Sequence, residues 1–191
     1  MKKLNIWVVI MSVAFILPLF AQAQEQSVDT QKSSVQWIGK KIGGDHTGFI
    51  KIKSGMFTLE NNKIVSGTFS VDMSTISNTD LTNETYRDKL IGHLNSDDFF
   101  GVEKFPVSTM VVTESTPFTN GISMVTADLT IKGITHPVVF EVSKEENEFM
   151  GEIRVNRALY DIRYGSKTFF SDIGDKAIDD EFVLQVILVV E

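Results

Sequence analysis

The chain contains three histidines, His46, His93 and His136, and their separations decide against most imidazole chemistry. A metal-binding helix needs H-x-x-x-H spacing so that both rings share a face, and no two of these histidines have it. His93 beside a helix end and His136 before Pro137 read as structural residues rather than general bases. Asp97-Asp98, Glu145-Glu146 and Asp179-Asp180 are adjacent in sequence, so on a strand their side chains diverge and cannot work as an acid–base pair. No G-x-S-x-G elbow, G-x-G-x-x-G or other phosphate-cradling glycine loop occurs. Cysteine is absent, which removes thiol nucleophiles, thiolate-held metals, disulfides and acyl-cysteine anchors together. These absences point to a protein that binds rather than catalyses, with no cofactor and no metal. One polar cluster remains: Arg157, Arg163, Tyr164 and Lys167 lie close in sequence and could donate to a phosphate or a quinone ring, arginine in bidentate fashion. The competing reading makes Arg157 and Arg163 structural braces paired with Asp161, Asp172 or Asp175.

The elements that would position such a cluster are strands. Val65, Gly67, Phe69, Val71 and Met73 alternate with polar residues, as do Phe149, Gly151, Ile153 and Val155. Val125, Ala127, Leu129 and Ile131 continue the pattern if one pleat irregularity falls near Met124. Period-two alternation marks strands with one buried and one wet face. Further strands are expected around residues 34–42, 47–53, 56–60, 105–113 and 137–143, with a last one over 181–190 that is apolar on both faces. Its second face needs a cover. The candidate is a helix over 83–94, where Tyr86, Leu90, Ile91 and Leu94 form one stripe and Thr82 or Asn83 caps the start. A second helical or turn segment is expected over 157–164.

Eight or nine strands with hairpin punctuation and one or two short helices predict an all-β fold, a closed antiparallel β-barrel of about eight strands, because closure removes exposed edges. A β-sandwich is the competing architecture. In a barrel of this size the interior is either filled by side chains or holds one small ligand. The alternation places Trp37, Ile52, Phe57, Phe69 and Phe105 inside, and with them Val107, Val111, Leu129 and Phe140. Phe149, Ile153, Phe182, Leu184 and Val186 complete the wall. Fourteen Phe against three Tyr supply aromatic walls with few hydroxyls to satisfy, which favours a hydrocarbon guest over a polar one. Burying about 400 Å² of such a guest would contribute about 10 kcal/mol gross, before the cost of ordering a flexible chain.

The first residues read as a targeting segment. Lys2 and Lys3 precede an apolar run from Leu4 to Phe20, and Ala21-Gln22-Ala23 forms a small-x-small cleavage site. A transmembrane anchor is the alternative; Pro18, the cleavage site and the lack of a basic stop-transfer cluster favour removal of residues 1–23. Residues 24–191 then make one domain, with no stable membrane span, in the periplasm or, alternatively, outside the cell. Loss of Lys2 and Lys3 takes the formal charge from −7 to −9. Such an acidic chain without a Lys/Arg stripe is a poor nucleic-acid binder.

Three segments carry a resemblance. His93-Leu94-Asn95-Ser96-Asp97-Asp98-Phe99-Phe100 followed by Glu103-Lys104-Phe105-Pro106 is one, and Leu129 to Val138 through the Lys132-Gly133 turn is the second. The third runs from Val155-Asn156-Arg157 through Tyr160 to Gly165, with Asp180-Glu181-Phe182 behind it. In this order they resemble the YceI-like family of lipocalin-like barrels. That resemblance implies an apolar lumen holding a long-chain isoprenoid or isoprenoid-quinone-like lipid, with neither metal nor catalytic triad. Ala158-Leu159-Tyr160 departs from the family pattern, and residues 167–174 look like an extended mouth loop. Two other roles are open: an interaction or stress-response barrel that binds no ligand, and an enzyme acting on a lipid in the lumen. Whether two copies pair as a homodimer is not written in the residues.

Overall fold

A computed structural model describes residues 23–170, 172, 174 and 177–191; the predicted leader therefore lies outside the described residues, apart from Ala23. Nine strands follow in chain order: β1 (Gln24–Ser27), β2 (Ser34–Lys41), β3 (Gly44–Glu60), β4 (Lys63–Asp72), β5 (Val107–Ser115), β6 (Ile122–Ile131), β7 (Ile134–Glu145), β8 (Glu148–Asn156) and β9 (Ile178–Val189). Each of β2 to β9 pairs antiparallel with its sequence neighbours, and β9 returns to pair with β2. The result is a closed eight-stranded up-and-down barrel, with β1 added alongside the second half of β3. Closure leaves no free edge among these eight.

The long β3 was expected as two strands. It is continuous because a register shift between Ile52 and Ser54 absorbs the bend where β3 stops pairing with β2 and begins pairing with β4. A second shift, between Thr58 and Leu59, leaves Val65 unpaired opposite them. Val65 consequently turns outward, contrary to the simple alternation, while Ile64 is buried. In β5 the inward set is Ser108, Met110 and Val112, so the expected inward Val107 and Val111 occupy the opposite face; Val111 is 43% exposed. A one-residue change of register moves every side chain across the sheet. Phe105 precedes β5 and packs against Gly133 of the β6–β7 turn, outside the lumen. In β6 no pleat irregularity is needed, because Ser123 is itself buried and continues the inward alternation.

One helix, α1 (Glu84–Asn95), and the 3-10 turns Met73–Thr75 and Arg157–Tyr160 accompany the strands among the described residues. The Asn83 side chain accepts from the Tyr86 N–H at 3.2 Å and caps α1, satisfying a donor that has no partner within the helix. α1 does not cover the outer face of β9. Leu94 at its end reaches the barrel interior instead, and Tyr86 at its start is 65% exposed. On the outside of β9, Val183 is flanked by its cross-strand neighbours Ile38 and Arg154, whose stem can shield it, while Ile187 is 40% exposed.

The two barrel ends differ in construction. At one end lie the β2–β3 turn, α1 with its exit loop, the β6–β7 turn and the long β8–β9 connection. At the other lie the short β3–β4 and β7–β8 turns, the β5–β6 loop, and the β1–β2 connection packed against the end of β9.

Candidate functional site

The barrel interior holds three apolar cavities in series. The first, of about 130 Å³, sits at the helix-bearing end and is lined by Trp37, Ile50 and Val71, by Leu94, Phe99 and Phe100 of the helix exit, and by Phe182 and Leu184. The second, about 70 Å³, shares Val35, Val71 and Leu184 with the first and adds Ile52, Phe69, Ile153 and Val186. The third, about 50 Å³, lies among Phe57, Val125, Phe140 and Phe149. Phe57 and Phe149 meet edge to face at 4.8 Å, and Phe118 from the β5–β6 loop stands behind Phe149 at 6.1 Å. Together they close the far end. Trp37, Gly39, Phe100 and Ile178 are half-buried and mark the mouth.

Of the expected lumen residues, Trp37, Ile52, Phe57, Phe69, Phe140, Phe149, Ile153, Phe182, Leu184 and Val186 line these cavities. Leu129 is buried in the same core without reaching a cavity wall. Phe105, Val107 and Val111 are corrections: register turns the two valines to the outer face, and Phe105 lies before β5 against Gly133. Ser108 replaces the valines on the inner face, and its hydroxyl donates to Met73 Sδ at 3.1 Å, so even this polar wall residue is engaged.

Arg157 is only 1% exposed and is no free headgroup donor. Its Nε–H donates to the Asp179 carbonyl at 2.9 Å, and Nη1 donates to the Ile162 and Tyr164 carbonyls at 2.9 and 2.8 Å. Nη2 donates to the Ile178 carbonyl at 3.1 Å and lies 3.3 Å from Asp180 Oδ1, an ion-pair contact without hydrogen-bond alignment. A guanidinium has five N–H groups; four donate in these bonds, and the remaining charge contact is the ion pair with Asp180. Burial pulls the Arg157 pKa down, opposed by the charges of Asp180 and Asp179. Burial also works against ionisation of Asp180, but hydrogen bonds from Ser166 and Thr168 and the Arg157 charge outweigh it and hold that carboxyl below the usual range. The guanidinium carbon also stands 5.6 Å from the Phe99 ring centroid. One buried cation thereby ties together the β8–β9 connection, the start of β9 and the helix exit.

The other expected headgroup residues separate. Arg163 is exposed, pairs with Asp161 and lies over the Phe169 ring. Tyr164 stacks edge-on against His93 at 4.1 Å. Both border a wide polar cleft with Asp97, Asp98 and Lys132. Lys167 instead faces a second cleft with Lys40 and Lys41, and that cleft shares Ile178 and Asp179 with the mouth of the lumen. The two β2 lysines were not anticipated: a pair of charges at a hairpin tip has the look of an ordinary solvated turn. Asp175, one of the expected bracing partners, lies outside the described residues.

The histidines have local structural partners. His136 Nε2 is 3.0 Å from the Leu159 carbonyl, and its ring meets buried Tyr160 edge to face. Burial pushes the Tyr160 hydroxyl up to about 12. His46 Nδ1 is 2.7 Å from Asp80, whose other oxygen accepts from the Thr47 N–H at 2.8 Å. Burial opposes ionisation of Asp80, but the Thr47, His46 and Asn78 contacts prevail and hold its carboxyl below the ordinary range. This pair anchors a strap, residues 76–80, that leads into α1. Ser77 and Thr79 donate to the Phe49 and Thr47 carbonyls of β3, each at 2.9 Å, and Trp37 Nε1 donates to the Ser77 carbonyl at 3.0 Å. Among the described residues no group of three or more His, Asp or Glu is arranged to hold a metal.

Comparison with known proteins places these features in a family. A UPF0312 protein of Vibrio parahaemolyticus is 29% identical over 189 residues, covering 91% of this chain and 95% of its own. Another, from Shewanella denitrificans, is 30% identical over 74% of this chain and 72% of its own. Among solved structures, Burkholderia cenocepacia BcnA superposes with a TM-score of 0.63 at 22% identity, over 86% of this chain and 99% of that one. A polyisoprenoid-binding domain from Saccharophagus degradans superposes with a TM-score of 0.57 at 16% identity, over 87% and 97%. These two likenesses concern the fold. The model of the YceI-like domain matches residues 26–190, nearly all of the barrel, and the chain belongs to that family.

Proposed function

We propose that this protein is an exported lipid-binding protein that holds an isoprenoid or isoprenoid-quinone-like lipid in the barrel lumen, for carriage or sequestration in the periplasm. The observation that carries the reading is the chemistry of the lumen wall. Its rings and aliphatic side chains dominate the wall; of the polar residues there, Ser108, Asp179 and four N–H groups of Arg157 already bond within the protein, while Ser70 and Thr109 belong to the outward-facing alternation of β4 and β5. A guest inside must therefore be hydrocarbon where it touches the wall, because a buried polar atom without a partner costs about 1–3 kcal/mol. Its polar head belongs at the mouth, where Lys40, Lys41 and Lys167 stand in water beside the lumen entrance. The polyisoprenoid-binding name of the Saccharophagus neighbour supports the same ligand class, and the leader-like start of the chain supports export. Among the described residues no histidine lines the lumen, and its one carboxylate, Asp179, accepts from the Glu181 N–H, an arrangement that supports binding over turnover.

Delipidation tests this directly. A ligand that binds only the native state raises stability by mass action, about 4 kcal/mol when it is present at a thousand times its Kd. Solvent extraction should lower the Tm of protein purified from its own host by about 10 °C, and adding back the extracted lipid should restore it. An unchanged Tm would point to the non-binding interaction barrel.

A further inference from the structure

The lumen is a graded channel, and its gradation carries an inference that rests on the lipid-binding reading. The three cavities shrink from mouth to floor, at about 130, 70 and 50 Å³. The second and third share Phe69 and Met110, cross-strand neighbours on β4 and β5, together with Ile153, Val186 and Leu188 of β8 and β9, so a tail entering the innermost space must pass between these two walls. Beyond them the way is shut. Phe57 is 2% exposed and Phe149 3%, and their edge-to-face contact is backed by Phe118. Phe57 also meets Phe69 at 6.2 Å, which joins throat and floor into one aromatic group.

We propose that this group is a length stop: Phe69 and Met110, set against Ile153, Val186 and Leu188, form a throat, Phe57 and Phe149 a floor, and together they limit the protein to short prenyl tails held head-out at the mouth. The reach of the lumen sets the scale. From Ile178 at the mouth to Leu188 beside the floor, β9 covers about 33 Å along the strand at the usual rise per residue, or about 25 Å along the axis of a barrel with ordinary strand tilt. An extended isoprene unit takes about 5 Å by ordinary bond lengths, so up to roughly five units fit within that reach and roughly nine do not. The floor cannot yield easily. Displacing the Phe57 and Phe149 rings would forfeit their edge-to-face contact and their packing against Phe69 and Phe118. The throat is softer, because methionine adapts to irregular gaps.

Trp37 is the only tryptophan in residues 24–191 and lines the first cavity, so its fluorescence reports occupancy at the mouth. The test titrates delipidated protein with farnesol, geranylgeraniol and solanesol, reading Trp37 emission and, independently, the mass of the complex by native mass spectrometry. Affinity should rise at least tenfold from farnesol to geranylgeraniol and then fall or level off for solanesol. Phe57→Leu, which opens the floor, and Phe69→Ala, which opens the throat, should each shift the preference toward solanesol. The second variant keeps the test decisive if the first fails to fold. Affinity that keeps climbing through solanesol in the unaltered protein, or a preference unmoved in the folded variants, would overturn the length stop and leave the lipid-binding reading intact. Binding of no prenol by either readout would overturn both.

Discussion

Replacing Arg157 by leucine is expected to destabilise the barrel by about 3–5 kcal/mol, the usual cost of removing one partner from a buried ion pair, and to lower its Tm by about 10 °C or more. Leucine fills part of the space but leaves the carbonyls of Ile162, Tyr164, Ile178 and Asp179 without their donor, and leaves Asp180 beside the hole without its countercharge. Arg157→Lys should recover little. A lysine presents three donors at one point, whereas these acceptors surround a planar fork. The effect should extend to the mouth, because the guanidinium also faces the Phe99 ring. Thermal unfolding of the two variants, with hydrogen exchange across residues 94–102 and 157–165, measures both. A Tm within a degree or two of the parent for the leucine variant would show that the closing segment holds without its brace.

Gly48→Ala is the second substitution with a large expected effect. A Cβ at Gly48 would stand 1.8 Å from the Ser77 carbonyl oxygen and 2.6 Å from its carbon. Both atoms are backbone, so no side-chain rotation relieves the overlap; the strap must lift off β3. Lifting it breaks the Ser77 and Thr79 bonds to β3 and withdraws the acceptor of the Trp37 indole. Overpacking alone costs about 1–3 kcal/mol, and each lost hydrogen bond adds about 1 kcal/mol. The spectroscopic signature is specific: Trp37 emission should shift to the red as its ring loosens at the mouth. A variant with parental emission and Tm would mean that the strap does not bear on Gly48 in solution.

These two residues also show where the sequence was legible. Alternation in β6, β8 and β9 marked the buried faces of Val125, Ile153 and Leu184 correctly, because a half-buried strand must repeat every second residue. The same rule failed where the pleat is interrupted. Val65 sits at a bulge, and a bulge is a feature of two paired strands that neither strand carries alone. In β5, Val107, Thr109 and Val111 compete with Ser108, Met110 and Val112 for the inner face, and composition hardly separates the two sets. Only pairing with β4 and β6 settles it.

The site was legible in part for similar reasons. The paired aromatics Phe99-Phe100 stood out as a motif, but their place in the lumen wall depends on where α1 ends, which is a tertiary fact. Arg157 was readable both as a headgroup donor and as a brace. Its four backbone acceptors come from segments up to twenty-two residues away, beyond any local pattern. Lys40 and Lys41 gave no signal, since their nearness to Lys167 arises from the closure of β2 on β9.

The central claim is that the lumen holds a lipid. The most direct measurement is native mass spectrometry of the protein purified from its own host, followed by solvent extraction and identification of whatever is released. The account predicts a polypeptide beginning at Gln24, carrying one molecule whose fragments are spaced by isoprene units. An empty barrel that also refuses added prenyl lipids would contradict it.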